Sequence, residues 1–357
     1  MDGLVVRLTQ RSRLGDLDLD RLVFGEVFSD HMFAMAWRDG AWRDPEIVPY
    51  GPIPIEPGAM TLHYAQMAFE GLKAFVGVDG RVRVFRPDRN ARRLRLSCRR
   101  MCIPEIDEDD FVAAVTRLVA IDRGWISDRP GHGLYIRPIV FSAESHLEVR
   151  PSNAYRFIVM TCPVGAYFRS GDSGLSLKVE DRFARTAPHG GVGEAKTSAN
   201  YATTFAAGRL ARDDGFDQVL WLDGSEHRYV EEAGLMNVFF KLGDRVVTPA
   251  LNGAILPGVT RESIIALLAD RGIAVEEREV AIDEIVGACD GGALEEVFVT
   301  GTAAVVLPVG RLNFRQRDLI PRRAGEASLT KSLHDELTGI QYGRIEDRHG
   351  WNHPVES

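Results

Sequence analysis

The sequence predicts a two-domain protein that mixes strands with helices, and three observations lead there. The chain has 357 residues and a mass of 39.5 kDa, more than one hydrophobic core comfortably serves. Segments of two-residue apolar alternation recur between segments of helical spacing. Between two apolar strands, residues 165–174 (Gly-Ala-Tyr-Phe-Arg-Ser-Gly-Asp-Ser-Gly) combine three glycines with two serines, the composition of a linker. The expected division is a domain over 1–164, a connecting loop over 165–174 and a second domain over 175–357.

Composition narrows the class. With 45% hydrophobic and 26% charged residues, the chain reads as an ordinary soluble globular protein. A formal charge of −8 argues against nonspecific nucleic-acid binding. No run approaches the roughly 20 apolar residues that span a bilayer, so no membrane partner is expected. Cys98, Cys102, Cys162 and Cys289 form no CxxC pair and nothing at the N-terminus reads as a signal peptide, which points to reduced thiols and a cytoplasmic location.

Residues 1 to about 60 alternate short apolar runs with Gly and Pro, as strands and an arm would. Asp79-Gly80 between alternating segments predicts a hairpin. From Asp88 the spacing turns helical, with Asp88 or Asn90 as cap and Arg93 early in the helix. Asp109 to Ile121 is a second helix. Leu134 to Phe141 and Tyr155 to Met160 are strands, and the two-residue period puts Tyr135 beside Arg137 on one face, suited to an anionic substrate or to an ion pair. Further on come a strand from Leu175 to Glu180, a helix from Ala202 to Arg212, and strands flanking Asp223-Gly224. Glu232 ends the second of these, next to Ala233-Gly234. Leu256-Pro257-Gly258-Val259-Thr260-Arg261 opens another helix, and Thr300-Gly301-Thr302-Ala303-Ala304 follows a strand. Either turn could present N–H groups and a hydroxyl to an anion, or be an ordinary cap.

The stretch His189 to Tyr201 delivers Lys196 through a glycine-rich approach into small neighbours. Such a lysine is either solvated or a covalent catalyst. The stretch is not a phosphate-binding P-loop, because Ala195 stands where glycine must precede the lysine. HExxH and GxSxG are absent, the histidines are scattered, and no GxGxxG follows a strand. That removes support for zinc proteolysis, α/β-hydrolase chemistry and dinucleotide binding, and no metal site is expected.

Taken together, Leu62-His63-Tyr64, Phe69-Glu70-Gly71-Leu72-Lys73-Ala74-Phe75, Phe85-Arg86-Pro87, Leu134-Tyr135-Ile136-Arg137-Pro138, Pro163 to Phe168, the lysine stretch, Glu232-Ala233-Gly234-Leu235-Met236-Asn237, Leu256 to Arg261, Gly301 to Ala304 and Gly339-Ile340-Gln341 run nearly end to end. The chain resembles the branched-chain amino acid aminotransferases of the class IV, fold type IV, pyridoxal-phosphate enzymes. The resemblance implies an α+β fold with a small α/β domain and a larger pseudo-barrel domain, an active site between them, and a homodimer. It makes Lys196 the Schiff-base lysine and proton shuttle, Tyr201 the partner of the cofactor's phenolic oxygen, and Glu232 the partner of its ring nitrogen. Arg93, Leu256, Val259, Thr260 and Thr302 would hold the cofactor, chiefly at its phosphate. Tyr64, Ala303 and Ala304 would receive the substrate carboxylate and Arg137 the distal carboxylate of glutamate. Phe69, Tyr135, Tyr167 and Leu235 would wall the side-chain pocket. The implied reaction is ping-pong transamination of Leu, Ile and Val with 2-oxoglutarate.

The chain departs from that pattern in four places. Ser198-Ala199 stand where relatives carry two glycines, Glu148 stands for glycine, Leu235 replaces a smaller or hydroxylated residue, and Ala304 and Leu307 occupy the positions of a cysteine pair found in some members. A specialised class IV enzyme for another 2-oxo acid is therefore the first alternative. D-amino acid transaminases and aminodeoxychorismate lyases are usually shorter and lack the Phe69 to Phe75 segment. A noncatalytic cofactor-binding or interaction protein would not need Lys196, Tyr201, Glu232 and Arg93 together.

Overall fold

The computed structural model describes residues 3–165, 174–187, 190–322 and 328–356. Most of the 165–174 loop, with Tyr167, and His189 fall outside them. The chain forms two compact units. One comprises Met1–Tyr167, Ala195–Ser198 and Gly339–Ser357, the other Phe168–Glu194 and Ala199–Thr338. The four residues around Lys196 therefore belong with the first unit, while the residues on either side belong with the second.

In the first unit, nine described strands form one sheet. Its order is Val5–Val6, Ala41–Pro49, His31–Arg38, Tyr155–Val164, Gly133–Ser142, Leu72–Val76, Val82–Phe85 and Asn352–Pro354, with Met67–Phe69 also paired to Gly133–Ser142. All pairs are antiparallel except the one made by Val5–Val6. One face is apolar at every second position (Phe33, Leu72, Ala74, Leu134, Ile136, Phe157) and is covered by Leu94, Cys98, Phe111, Val115 and Leu118, from the helices Pro87–Arg100 and Glu108–Ile121. The alternation sends Lys73, Tyr135, Arg137 and Cys162 to the other face. Register places Tyr135 opposite Lys73 on one side and Cys162 on the other.

The Asp79-Gly80 turn joins Leu72–Val76 to Val82–Phe85 as a hairpin, with Gly80 at φ +73°, a conformation that favours glycine. Asp107 caps the second helix by accepting from the Asp109 and Asp110 N–H groups. The cap of the first differs from the expectation. That helix starts with Pro87 after a left-handed Arg86, because proline fills the first helical position without losing a needed N–H. Asn90 sits inside the helix instead, donating to Glu70 Oε2 at 2.7 Å. The C-terminal segment is tied to this unit by pairing of Asn352–Pro354 with Val82–Phe85 and by Tyr342 Oη donating to the His132 carbonyl.

In the second unit, nine described strands run in the order Val230–Ala233, Gln218–Leu222, Leu175–Glu180, Val305–Phe314, Leu294–Gly301, Asn237–Leu242, Arg245–Pro249 and Val275–Arg278, with Arg317–Leu319 on Val305–Phe314. A bridge between Ala233 and Met236 sets the start of Asn237–Leu242 beside the first strand, so six strands curl into a half-barrel. Leu177, Leu220, Val238, Phe240, Val297, Val299 and Leu312 fill the core. Parallel pairings of Leu175–Glu180 on both its sides make the sheet mixed. The expected helix over 202–212 is two pieces, Ala199–Ala202 and Phe205–Asp213; Thr204 interrupts it, its hydroxyl donating back to the Tyr201 carbonyl at 2.7 Å.

Candidate active site

Lys196 is held through its own peptide groups. Its N–H donates to Ser97 Oγ at 2.9 Å and its carbonyl accepts from the Phe69 N–H at 3.0 Å. Thr197 Oγ1 donates to the Met67 carbonyl at 2.7 Å. The lysine segment thus runs beside the strand Met67–Phe69, and Lys196 Nζ lies 5.0 Å from the centre of the Phe69 ring. The side chain is half-buried. This is the reverse of a solvated loop lysine: hydrogen bonds fix its backbone against a strand and a helix.

The glycines ahead of the lysine have a structural reason. An added Cβ on Gly193 would collide with the Ala254 carbonyl oxygen and stand 2.6 Å from the Ala254 carbonyl carbon. At Gly191 it would collide with the Ala187 carbonyl. The chain packs backbone to backbone here, which only glycine permits.

Glu70 and Arg93 form a buried pair beside the lysine. Glu70 is fully buried, and Arg93 Nε and one terminal nitrogen donate to its two oxygens at 2.7 and 2.8 Å. Burial opposes ionisation of Glu70, but Arg93, Lys196 and the Asn90 amide outweigh it, and its carboxyl titrates below the usual glutamate value. Glu70 therefore fixes the guanidinium plane of Arg93 and adds negative charge near Lys196. On the same unit, Arg137 stacks over Phe69 and Tyr135 with its guanidinium carbon 4.9 and 5.3 Å from the ring centres, and donates to Tyr135 Oη at 3.0 Å. Its Nε is buried without a hydrogen-bond partner. Tyr64 is tied at its hydroxyl to the Leu147 carbonyl at 2.5 Å.

The second unit carries the other predicted residues. Glu232 is buried; Oε1 accepts from the Leu256 N–H at 2.8 Å and from Asn237 Nδ2 at 3.4 Å, and Oε2 lies 3.3 Å from Arg185 Nε. Arg185 also donates to the Ala254 carbonyl. Gly258 precedes the helix Val259–Asp270 and supplies no side-chain cap; an added Cβ would collide with Asn237 Oδ1. The helix thus starts at Val259 and Thr260 without a side-chain cap from the residue before it. Thr302, Ala303 and Ala304 form the turn between Leu294–Gly301 and Val305–Phe314, ending in Val305 at φ +60°. A β-branched residue there is a strained outlier of the kind found where a turn's shape is fixed for a ligand. Leu235 is half-exposed in the turn after Glu232, and Tyr201 is half-buried in the short helix after the lysine.

Sequence reasoning missed Glu70, Ser97, Arg185 and Asn237 as supports of these groups. Glu70 and Asn237 stand inside the quoted motifs. Ser97 and Arg185 carried no local signal, because the residues they hold are distant in sequence.

The profile of the amino-transferase class IV family matches residues 67–312. The chain belongs to the class IV aminotransferases. Branched-chain-amino-acid aminotransferase 2 of Bacillus subtilis is 47% identical over 339 residues, covering 95% of this chain and 93% of the relative. The branched-chain-amino-acid aminotransferase of Mycobacterium tuberculosis is 44% identical, covering 92% and 90%. Among solved structures, the T.th. branched-chain amino acid aminotransferase with pyridoxamine 5'-phosphate superimposes with a TM-score of 0.74 at 26% identity, covering 90% of this chain and 98% of that one. The fold type IV, α+β architecture follows from this agreement.

The donor set of this class IV chain fits such a cofactor. A buried carboxylate with a guanidinium behind it suits a protonated ring nitrogen, and an uncapped helix start with a threonine at its second position suits a phosphate.

Proposed function

We propose that the protein is a pyridoxal-phosphate-dependent aminotransferase that moves the amino group of leucine, isoleucine or valine to 2-oxoglutarate. The observation that carries this is the clamped lysine: both peptide groups of Lys196 are bonded to the strand and helix that also supply Phe69 and Arg93.

When bound, the cofactor supplies an electron sink for the carbanion formed at the substrate Cα. The chain's own residues do the rest. Lys196 Nζ would anchor the cofactor and, as the neutral amine, would carry the proton taken from the substrate Cα. Tyr201 donates to the phenolic oxygen. Glu232, kept in place by Leu256, Asn237 and Arg185, holds the ring nitrogen protonated. Arg93, oriented by Glu70, and the Val259, Thr260 and Thr302 groups hold the phosphate. Tyr64, Ala303 and Ala304 take the substrate carboxylate, and Phe69, Tyr135 and Leu235 wall its side chain. Arg137 meets the second carboxylate of the acceptor, which its stacking on two rings and its unpaired Nε support.

The same proposal includes a homodimer and a cytoplasmic location. Exposed Leu62, Leu147 and Val149, near the Tyr64 to Leu147 bond, support a second copy covering them; four free cysteines support a reducing compartment. An acceptor or donor outside the branched-chain set is the second reading, supported by Ser198-Ala199, where Ser198 Oγ reaches the Ala65 carbonyl at 3.4 Å.

The test is a half-reaction screen. The purified protein loaded with pyridoxal phosphate is mixed with a panel of amino acids, and the visible absorbance of the bound cofactor is followed. Bleaching by Leu, Ile, Val and Glu is expected, and Lys196→Ala abolishes turnover. Full transamination by that variant, or silence toward all three branched donors, overturns the assignment.

A further inference from the structure

Glu231 has no part in the function described above, yet it is only 3% exposed and its Oε2 is buried with no hydrogen-bond partner. A carboxyl in that condition is costly unless it carries a proton or has a task. Its neighbour in sequence is Glu232. On a regular strand two consecutive side chains point to opposite faces. Here the register against Gln218–Leu222 shifts: Leu220 faces Ala233 and Leu222 faces Val230, so Trp221 alone faces both glutamates. A bulge of this kind breaks the alternation, and both carboxyls come under the influence of the same buried guanidinium, that of Arg185.

Among the described residues, three charged groups act on Glu231. Arg185 attracts it, while Glu232 on its own strand and Asp223 at the end of the neighbouring strand repel it. Lys241 on the adjoining strand is engaged with Glu295, and Arg245 on the next one with Glu276. Two carboxyls thus lie under the influence of one buried guanidinium. With Glu231 neutral, Arg185 and Glu232 balance, and arrival of a protonated ring nitrogen at Glu232 leaves one positive charge in excess.

We propose that Glu231 is a positioning residue for the ring-nitrogen end of the cofactor: protonated in the cofactor-free protein, it releases its proton to solvent when the protonated ring binds, and so balances the charge. The inference rests on the assignment of Glu232 to the ring nitrogen. Burial, opposed by Arg185 and reinforced by Glu232 and Asp223, raises the Glu231 carboxyl to about 7, so its proton is present to be released near neutral pH. Linkage makes the effect reciprocal: if the ring lowers the proton affinity of Glu231, ionised Glu231 raises the affinity for the ring.

The experiment titrates cofactor-free protein with pyridoxal phosphate at pH 6.5 by calorimetry, in buffers of different ionisation enthalpy. It is run for the wild type, Glu231→Gln and Glu232→Gln. Wild type should release up to about 0.8 proton more than Glu231→Gln, and its affinity should rise about tenfold more than that variant's between pH 6 and 8. Infrared spectra of the cofactor-free protein should show a protonated-carboxyl band at pH 6 that fades by pH 8 and is missing in Glu231→Gln. Equal proton counts and equal pH slopes in wild type and Glu231→Gln overturn the inference, provided Glu232→Gln weakens binding. If Glu232→Gln binds as wild type does, it is the ring-nitrogen assignment that fails, whatever the infrared band shows.

Discussion

Removing the charge of Glu70 while keeping its shape, as Glu70→Gln does, should leave Arg93 buried without its carboxylate. The pair is closed at two points, 2.7 and 2.8 Å, with Glu70 fully buried and the Arg93 side chain 7% exposed. Breaking such a pair from one side costs about 3–5 kcal/mol, mostly the desolvation of the partner left behind. Arg93→Met removes the main group that offsets the burial of Glu70, so the carboxyl either stays ionised in a dry site or takes up a proton, and the change should cost about as much. The double variant removes both charges and should cost far less than the two combined, a coupling of about 2–3 kcal/mol. Cofactor-free protein is the correct sample, because ligand linkage would otherwise mix with stability; urea unfolding followed by circular dichroism reads the free energies. The pH dependence supplies a second check. The folded carboxyl lies below its ordinary value of 4.5, so its contribution is complete above that pH and is lost as pH falls through the folded value. Glu70→Gln should lack this acid limb. Single variants that cost under about 1 kcal/mol, or costs that simply add, would refute the account of Arg93 as a residue held in place by Glu70.

Two further predictions concern packing and titration. Burial, opposed by Cys162, lowers Lys73 from 10.5 to about 8. The unfolded chain therefore binds more protons than the folded one between those values, and wild-type stability should rise as pH climbs through that window. Lys73→Met should be flat there and more stable than wild type at pH 7, by up to about 3 kcal/mol, as thermal unfolding across pH would show. Gly193→Ala must push apart two backbone segments and should lose cofactor loading along with about 1–3 kcal/mol of stability. Gly208→Ala, inside Phe205–Asp213 with its nearest neighbour at 3.5 Å, should be neutral or stabilising by about 0.5–1 kcal/mol; equal behaviour of the two variants would contradict the close-approach explanation.

Much of this protein could be read without coordinates. The alternation around Tyr135 and Arg137 put them on one face, and the turns Asp79-Gly80 and Asp223-Gly224 marked their hairpins, because strand period and turn chemistry are local properties. The ordered motifs from Leu62 to Gln341 were enough for the family. Three things needed the tertiary structure. The return of the last strand to Val82–Phe85 depends on an edge far earlier in the chain, for which the sequence carries no marker. The pairing of Glu70 with Arg93 depends on which faces of a strand and a helix meet in the core. The placing of Glu231 within the influence of Arg185 goes with a bulge, one extra residue in a register that alternation alone would have sent to the opposite face. Local preferences determine which residues can do chemistry; only packing decides which charges share a dry site, because the energy of a buried charge is set by neighbours that the chain brings from elsewhere.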